Sequence, residues 1–203
     1  MAQAGLAAQL IDAGRRLDAR NWVPGGGGNF SARVDAEQAL LTASGCHKGR
    51  LSEGDFLLVD LQGQPRSPGR AASAETLLHC ERLRALPEAG CVLHTHSPAC
   101  TVLGRRTIGD TLWLAGYEML KGLSAGPADH AGQVAIPIFE NDQDITRLAA
   151  QVAERHAREP IAHGYLIRGH GLYAWGRDVE AAVRHVEALE FLLHCHLLEE
   201  MLP

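Results

Sequence analysis

The 203-residue chain has the length of one domain with a substantial buried core, and we expect a single domain over residues 1–203. Its 19 lysines and arginines against 24 aspartates and glutamates give a formal net charge of -5, which leaves no basic stripe for a nucleic acid. No apolar run is long enough to cross a bilayer, and the N-terminal residues lack the pattern of a signal peptide. We therefore expect neither a nucleic-acid nor a membrane partner.

Helix and strand patterns alternate along the chain. The first helix is predicted over Leu6–Asn21, and the glycine run Gly25–Gly28 that follows it is incompatible with a helix or strand interior. Four later segments carry helix patterns or helix starts: Ala74–Leu86 with Ser73 as its cap, the segment beginning at Ser97-Pro98, Asp142–Arg158 and Asp178–Leu202. Seven short apolar segments are strand candidates: Phe30–Val34, Leu40–Thr42, Phe56–Asp60, Cys91–His96, Val134–Phe139, Tyr165–Ile167 and Leu172–Trp175. This mixture predicts an α/β domain layered around one sheet, whose strand order the sequence leaves open.

The cysteines are scattered along the chain. Five are present and none forms a C-x-x-C pair: Cys46, Cys80, Cys91, Cys100 and Cys195. An odd, scattered set is typical of reduced thiols, so we expect a cytoplasmic protein.

Three histidines form the strongest candidate for a metal site. His94 and His96 lie two residues apart in a predicted strand, where alternate side chains point to the same face. His170 lies between two glycines, in a turn that can bring its ring close to other parts of the backbone. Three imidazoles with an open fourth position are typical of catalytic zinc, although iron, manganese and cobalt remain alternatives.

The histidines also admit other interpretations. The pair could be two ordinary histidines, and a structural zinc domain would need a fourth clustered thiolate or imidazole. His194 and His196 cannot chelate one ion together, because residues two apart on a helix point in diverging directions. Three further residues of this predicted helix are expected on a solvated face or a subunit contact: His185, Glu187 and Glu190.

The glycine run Gly25–Gly28 is a candidate anion site. Successive backbone N–H groups in such a loop can converge on a phosphate, whereas the alternative is a plain flexible turn. The Walker A and dinucleotide-binding signatures are both absent. Glu75 and Glu118 are candidate acid/base groups, although each taken alone is typical of a surface carboxylate.

Five motifs occur in the order that they have in the class II aldolase/adducin family: Gly27–Ser31, Thr42–Gly45, Ser73–Glu75, His94–His96 and Gly169–Gly171. The sequence resembles this family over nearly its whole length. The resemblance implies a three-layer α/β/α fold with a central mixed or antiparallel sheet. It also implies a homo-oligomer, most often a tetramer, with active sites between the subunits.

The resemblance also assigns residues to roles. It makes His94, His96 and His170 the ligands of one Zn²⁺ per subunit. It places the phosphate of a small sugar phosphate at five residues: Gly28, Asn29, Ser44, Gly45 and Ser73. Glu118 matches the proposed acid/base of the family's dehydratases, and Glu75 matches the catalytic carboxylate of its aldolases, so the division of labour between them stays open.

Four segments are most similar to the sugar-phosphate dehydratases of the family: Pro24–Ser31, His47–Arg50, Tyr117–Gly122 and Pro137–Asp144. The resemblance therefore implies a metal-dependent carbon–oxygen lyase that acts on a phosphorylated ketose. One alternative is an aldolase or epimerase for another ketose phosphate. A second is a non-catalytic interaction module like the adducin head, which would be expected to have lost part of the metal-ligand set, whereas all three histidines are present here.

Overall fold

The computed structural model describes residues 2–66, 69–123 and 132–202. These residues contain five α-helices: α1 (Ala2–Ala19), α2 (Thr76–Ala85), α3 (Pro98–Arg106), α4 (Ile145–Arg158) and α5 (Val179–Met201). They also contain eight strands: β1 (Asn29–Arg33), β2 (Gln38–Thr42), β3 (Phe56–Asp60), β4 (Cys91–Thr95), β5 (Thr111–Ala115), β6 (Gln133–Phe139), β7 (Gly164–Ile167) and β8 (Gly171–Gly176). None of the described helices is both long enough and apolar enough to span a membrane.

The eight strands form one mixed sheet in the order β3-β2-β1-β4-β8-β7-β6-β5. Strands β6 and β7 run parallel, and the other neighbouring pairs are antiparallel. A parallel pair needs a crossover connection, and α4 supplies it between β6 and β7. The central pair β4 and β8 carries the residues of the candidate site.

Helices cover both faces of the sheet. On one face α2 packs against α4, and on the other α5 packs against α1 and α3. Side chains of the sheet contact both helical layers. Thr95 of β4 contacts Glu190 of α5 on one face, and Ser31 of β1 contacts His79 of α2 on the other. The mixed sheet between two helical layers confirms the predicted three-layer α/β/α fold.

Two details of the predicted elements were wrong. Ser73 does not cap α2, because Glu75 occupies the N-cap position and the Ser73 hydroxyl instead accepts hydrogen bonds from Asn29 Nδ2 and the Glu75 N–H. The edge strand β5 was not predicted. Its residues alternate between covered and exposed, and Trp113 at its centre is 50% exposed.

Candidate active site

Three imidazoles meet where β4 ends beside the turn that joins β7 to β8. His94 Nε2 lies 2.8 Å from His96 Nε2 and 3.3 Å from His170 Nε2. One nitrogen of each ring lies within 4.8 Å of the others, which makes these three residues a possible metal site. The structure therefore brings together the three histidines that were selected from the sequence.

The protonation of these rings suits a metal. His94 Nδ1 lies 2.9 Å from the carbonyl oxygen of Leu172, which can only accept, so Nδ1 carries the hydrogen and Nε2 presents its lone pair. Burial lowers the pKa of His94 well below its usual value, and it lowers the pKa of His96 to about 4. Neutral imidazoles with converging lone pairs are the donors that a divalent transition metal takes.

Hydrogen bonds to main-chain atoms hold the backbone of His96 and His170 in place. The His96 N–H donates to the Trp22 carbonyl over 2.7 Å, and the Thr101 hydroxyl donates to the His170 carbonyl over 3.0 Å. At Gly171 a Cβ atom would lie 2.1 Å from the Thr95 carbonyl oxygen and 2.8 Å from His94 Cε1. Only glycine permits the turn to approach the strand this closely.

Glu75 extends from the N-cap of α2 into the histidine cluster. Its Oε2 lies 3.5 Å from His94 Nε2, and its Oε1 lies 3.4 Å from His170 Nε2. Oε1 is buried without a hydrogen-bond partner among the described residues. A buried carboxylate oxygen that lacks a donor and faces three imidazoles is the feature that a bound cation would satisfy, so the residues present fit a divalent metal.

A cavity of about 370 Å³ opens above the histidines. Its wall includes all five residues expected to bind phosphate: Gly28, Asn29, Ser44, Gly45 and Ser73. His96, His170 and Glu75 line the same cavity. At Gly28 the backbone has a φ of +74°, and a Cβ atom would lie 2.3 Å from the His94 carbonyl oxygen. The glycine loop therefore packs directly against β4 at His94, two residues before His96.

Lys48 belongs to this cavity but was not among the predicted site residues. It is 3% exposed, and its Nζ donates to the carbonyls of Gly26 and Cys46, both over 2.7 Å. Burial lowers the pKa of its ammonium group. Among the described residues that line the cavity, it is the one lysine or arginine. The sequence offered one signal for this position: Lys48 follows Ser44 by four residues, so the two were expected on one short loop.

His79 was also missed. It is fully buried, and its ring lies between the hydroxyl of Ser31 and the side-chain oxygen of Asn29. Burial lowers its pKa to about 4. Its spacing from Glu75 was a usable signal, because residues four apart lie on the same face of a helix.

Glu118 and Glu190 do not line this cavity. Glu118 begins a short 3₁₀ helix over Glu118–Leu123, is exposed, accepts a 2.5 Å hydrogen bond from Lys121, and does not line the cavity of its own chain. The expectation of a solvated or interface position was wrong for Glu190, which is 2% exposed. The hydroxyls of Thr95 and Ser97 donate to its carboxylate from the strand end that carries the histidines.

The sequence model of the family described as "Class II Aldolase and Adducin N-terminal domain" matches residues 8–197. A methylthioribulose-1-phosphate dehydratase of Pseudomonas aeruginosa (strain UCBPP-PA14) is 52% identical over 192 residues, which cover 95% of this chain and 93% of the relative. A protein of the same name from Sodalis glossinidius (strain morsitans) is 49% identical, with coverage of 96% and 97%. The structure of l-fuculose-1-phosphate aldolase from Thermus thermophilus superposes with a TM-score of 0.78 at 27% identity, covering 98% of this chain and 97% of that one.

Proposed function

Since the chain belongs to the class II aldolase and adducin family, we propose that it is a metal-dependent hydro-lyase, a methylthioribulose-1-phosphate dehydratase. It converts 5-methylthioribulose 1-phosphate to 5-methylthio-2,3-dioxopentyl phosphate and water, a step of methionine salvage. The observation that carries this proposal is the similarity to dehydratases of that name, with 52% identity over 95% of the chain. The reduced state of all five cysteines, which are free in the structure, supports a cytoplasmic location.

The metal of the proposed enzyme is one Zn²⁺ per subunit, held by His94, His96 and His170. Three imidazole ligands leave a coordination position for substrate, which is the arrangement of catalytic rather than structural zinc. When bound, such an ion supplies Lewis-acid polarisation of the substrate's C2 carbonyl. The nearby carboxylate of Glu75 adds negative charge beside the imidazoles and favours a divalent cation there.

The phosphate of the substrate binds along the cavity wall beside the glycine loop. The backbone N–H groups of Gly28 and Gly45 and the hydroxyls of Ser44 and Ser73 are its donors, and Asn29 holds Ser73 in place through its side-chain amide. Lys48 adds a positive charge beside these neutral groups and ties Gly26 to Cys46 through its two hydrogen bonds. Holding the phosphate fixes the distance from C1 to the metal site, which positions C3 and C4 for proton transfer.

Dehydration needs two proton transfers: one removes the proton on C3 and one delivers a proton to the departing C4 hydroxyl. The resulting enol then tautomerises, gaining a proton at C4 and losing the proton of its C3 hydroxyl, which gives the 2,3-dione. Glu75 is placed for a role at the metal end, where it already contacts His94 and His170. Glu118 is the second carboxylate, and we propose that it acts in the cavity of a neighbouring subunit. Its exposed position on its own chain supports this arrangement.

A homo-oligomer, expected to be a tetramer, would bring Glu118 to that neighbouring cavity. Two exposed apolar side chains support such a contact: Met119, next to Glu118, and Phe191 of α5 are 38% and 52% exposed and line the same surface cavity. Large apolar side chains gathered on a surface mark interaction sites more often than side chains scattered singly.

The test is a coupled assay of purified protein on 5-methylthioribulose 1-phosphate, with and without chelator. We expect water elimination that stops on chelation and returns with Zn²⁺. Turnover of fuculose, rhamnulose or ribulose phosphates instead would indicate an aldolase or epimerase. Protein that binds no metal and turns over none of these substrates would refute the enzyme and favour an interaction module.

A further inference from the structure

We propose that His79 is a positioning residue of this site, which orients the side-chain amide of Asn29 toward Ser73 and Glu75. The inference rests on the proposed function only in that Asn29 and Glu75 are taken as residues that meet the substrate. His79 itself lies behind them and does not line the cavity. It therefore acts through Asn29.

The contacts form a continuous chain from the core to the cavity. The Ser31 Oγ lies 2.8 Å from His79 Nδ1, and His79 Nε2 forms a short hydrogen bond with Asn29 Oδ1. Asn29 Nδ2 then donates to Ser73 Oγ over 3.1 Å and to Glu75 Oε2 over 2.6 Å. Each member of the chain thus fixes the next.

The side-chain oxygen of Asn29 fixes the ring protonation of His79. Asn29 Nδ2 donates to Ser73 and Glu75, so its Oδ1 faces His79, and an amide oxygen can only accept. His79 Nε2 must then carry the ring hydrogen. In a neutral imidazole Nδ1 is consequently an acceptor, and the Ser31 hydroxyl donates to it.

Burial makes this arrangement costly to disturb. Ser31 and His79 are fully buried and Asn29 is 5% exposed, so water cannot replace a missing partner. Both ring nitrogens of His79 have a hydrogen-bonding partner, and the contacts that start at its Nε2 reach the cavity through Asn29.

A double-mutant cycle tests the assignment. His79→Leu should lower kcat/KM about 10–100-fold with bound metal unchanged, which is typical for loss of a residue that orients a site group. In an Asn29→Ala background the same change should cost less than about twofold, because the group it orients is gone. Equal losses in both backgrounds would overturn the proposal.

Two conservative variants guard against simple misfolding. His79→Gln can still donate to Asn29 Oδ1 and should recover most of the activity, whereas Ser31→Ala should give a smaller loss that vanishes in the Asn29→Ala background. Cys80→Ala, at a neighbouring buried position of α2 that contacts Asp60 instead, is the matched control and should stay within about twofold of wild type. A His79→Gln protein as impaired as His79→Leu, with wild-type stability, would contradict the assignment.

Crystal structures of these variants supply a readout that does not depend on the substrate. In His79→Leu the Asn29 amide should turn away from Ser73 and Glu75, and in His79→Gln it should stay. If wild-type protein fails to dehydrate 5-methylthioribulose 1-phosphate, the proposed function fails while this readout still tests the role of His79. An Asn29 amide unmoved in His79→Leu would overturn it.

Discussion

The imidazole of His94 lies flat on the ring of Tyr173, with centroids 4.1 Å apart and planes inclined by 15°. The two residues are direct partners in the register of β4 and β8. Tyr165 continues the stack behind Tyr173 at 5.0 Å and 11°. The plane of a metal-ligand candidate is thus set by packing in the core as well as by its hydrogen bond to Leu172.

Tyr173→Leu removes that flat support, and we expect it to weaken metal binding about 10-fold or more, because supporting residues of this kind typically contribute 10–100-fold. Tyr173→Phe keeps the ring and should retain the affinity within about threefold, provided that the stack is what matters. Metal affinity measured by competition with a chromophoric chelator distinguishes the two. Equal weakening in both variants would assign the effect to the hydroxyl.

Gly28→Ala should be strongly destabilising. The residue has a φ of +74°, and its new methyl group would lie 2.3 Å from the His94 carbonyl oxygen. Gly25→Ala is the matched control: its φ is +63°, but nothing lies within 4 Å of the added methyl group. We expect about 1–2 kcal/mol of lost stability for Gly25→Ala and clearly more for Gly28→Ala by chemical denaturation. Similar losses would mean that the loop moves freely away from β4.

Glu118→Gln should retain metal and lose dehydration. Removing a positioned acid/base group typically lowers kcat about 10²–10⁴-fold. Glu75→Gln should differ from Glu118→Gln by changing the metal affinity as well, since the Glu75 carboxylate lies 3.4 Å from His170 Nε2. Metal content and kcat measured together separate these phenotypes. Retained metal with lost dehydration in Glu75→Gln alone would exchange the two roles.

Mixed oligomers test whether Glu118 acts across a subunit contact. A His94→Ala subunit lacks a metal ligand but keeps Glu118, and a Glu118→Gln subunit has the reverse defect. Unfolding and refolding an equal mixture should restore part of the activity that neither variant has alone. No recovery in verified mixed oligomers would place Glu118 in its own subunit's site or outside the chemistry.

The buried carboxyl of Glu190 should make the free energy of unfolding depend on pH. Burial raises the pKa of its carboxyl from 4.5 to about 7, so between these values the folded state binds a proton that the unfolded state releases. This group therefore favours folding at low pH, and its contribution is lost as the pH rises through about 7. Glu190→Gln stays neutral, so its stability relative to wild type should rise by about 2–3 kcal/mol between pH 5 and 9. A constant difference in unfolding free energy across this range would contradict the assignment.

Much of the fold followed from local patterns. Side-chain alternation and glycine punctuation are local properties, so the strand with His94 and the glycine turn at His170 were predictable, although β4 ends at Thr95, one residue before His96. The order of the strands was not, since the pairing of β4 with β8 joins residues that lie far apart in sequence. The meeting of His170 with the other two histidines was therefore an expectation from the family resemblance rather than from spacing.

The residues that were missed share one property. His79, Lys48 and Glu190 are polar groups buried by partners from distant elements. A polar residue on a predicted helix normally indicates a solvated face, and only tertiary contacts reveal the exception. The sequence could mark Glu75 and Ser73 as site candidates, but not the side chains that hold them in place.

In the proposed site, three imidazoles from distant segments bind one cation that keeps an open coordination position for a ketone oxygen. The most direct test of this arrangement is the metal content and the turnover of 5-methylthioribulose 1-phosphate by His170→Ala, with the exposed His194→Ala as control. We predict one metal per subunit and full turnover in wild type and in His194→Ala, and loss of both in His170→Ala. Full turnover by metal-free His170→Ala protein would contradict the account.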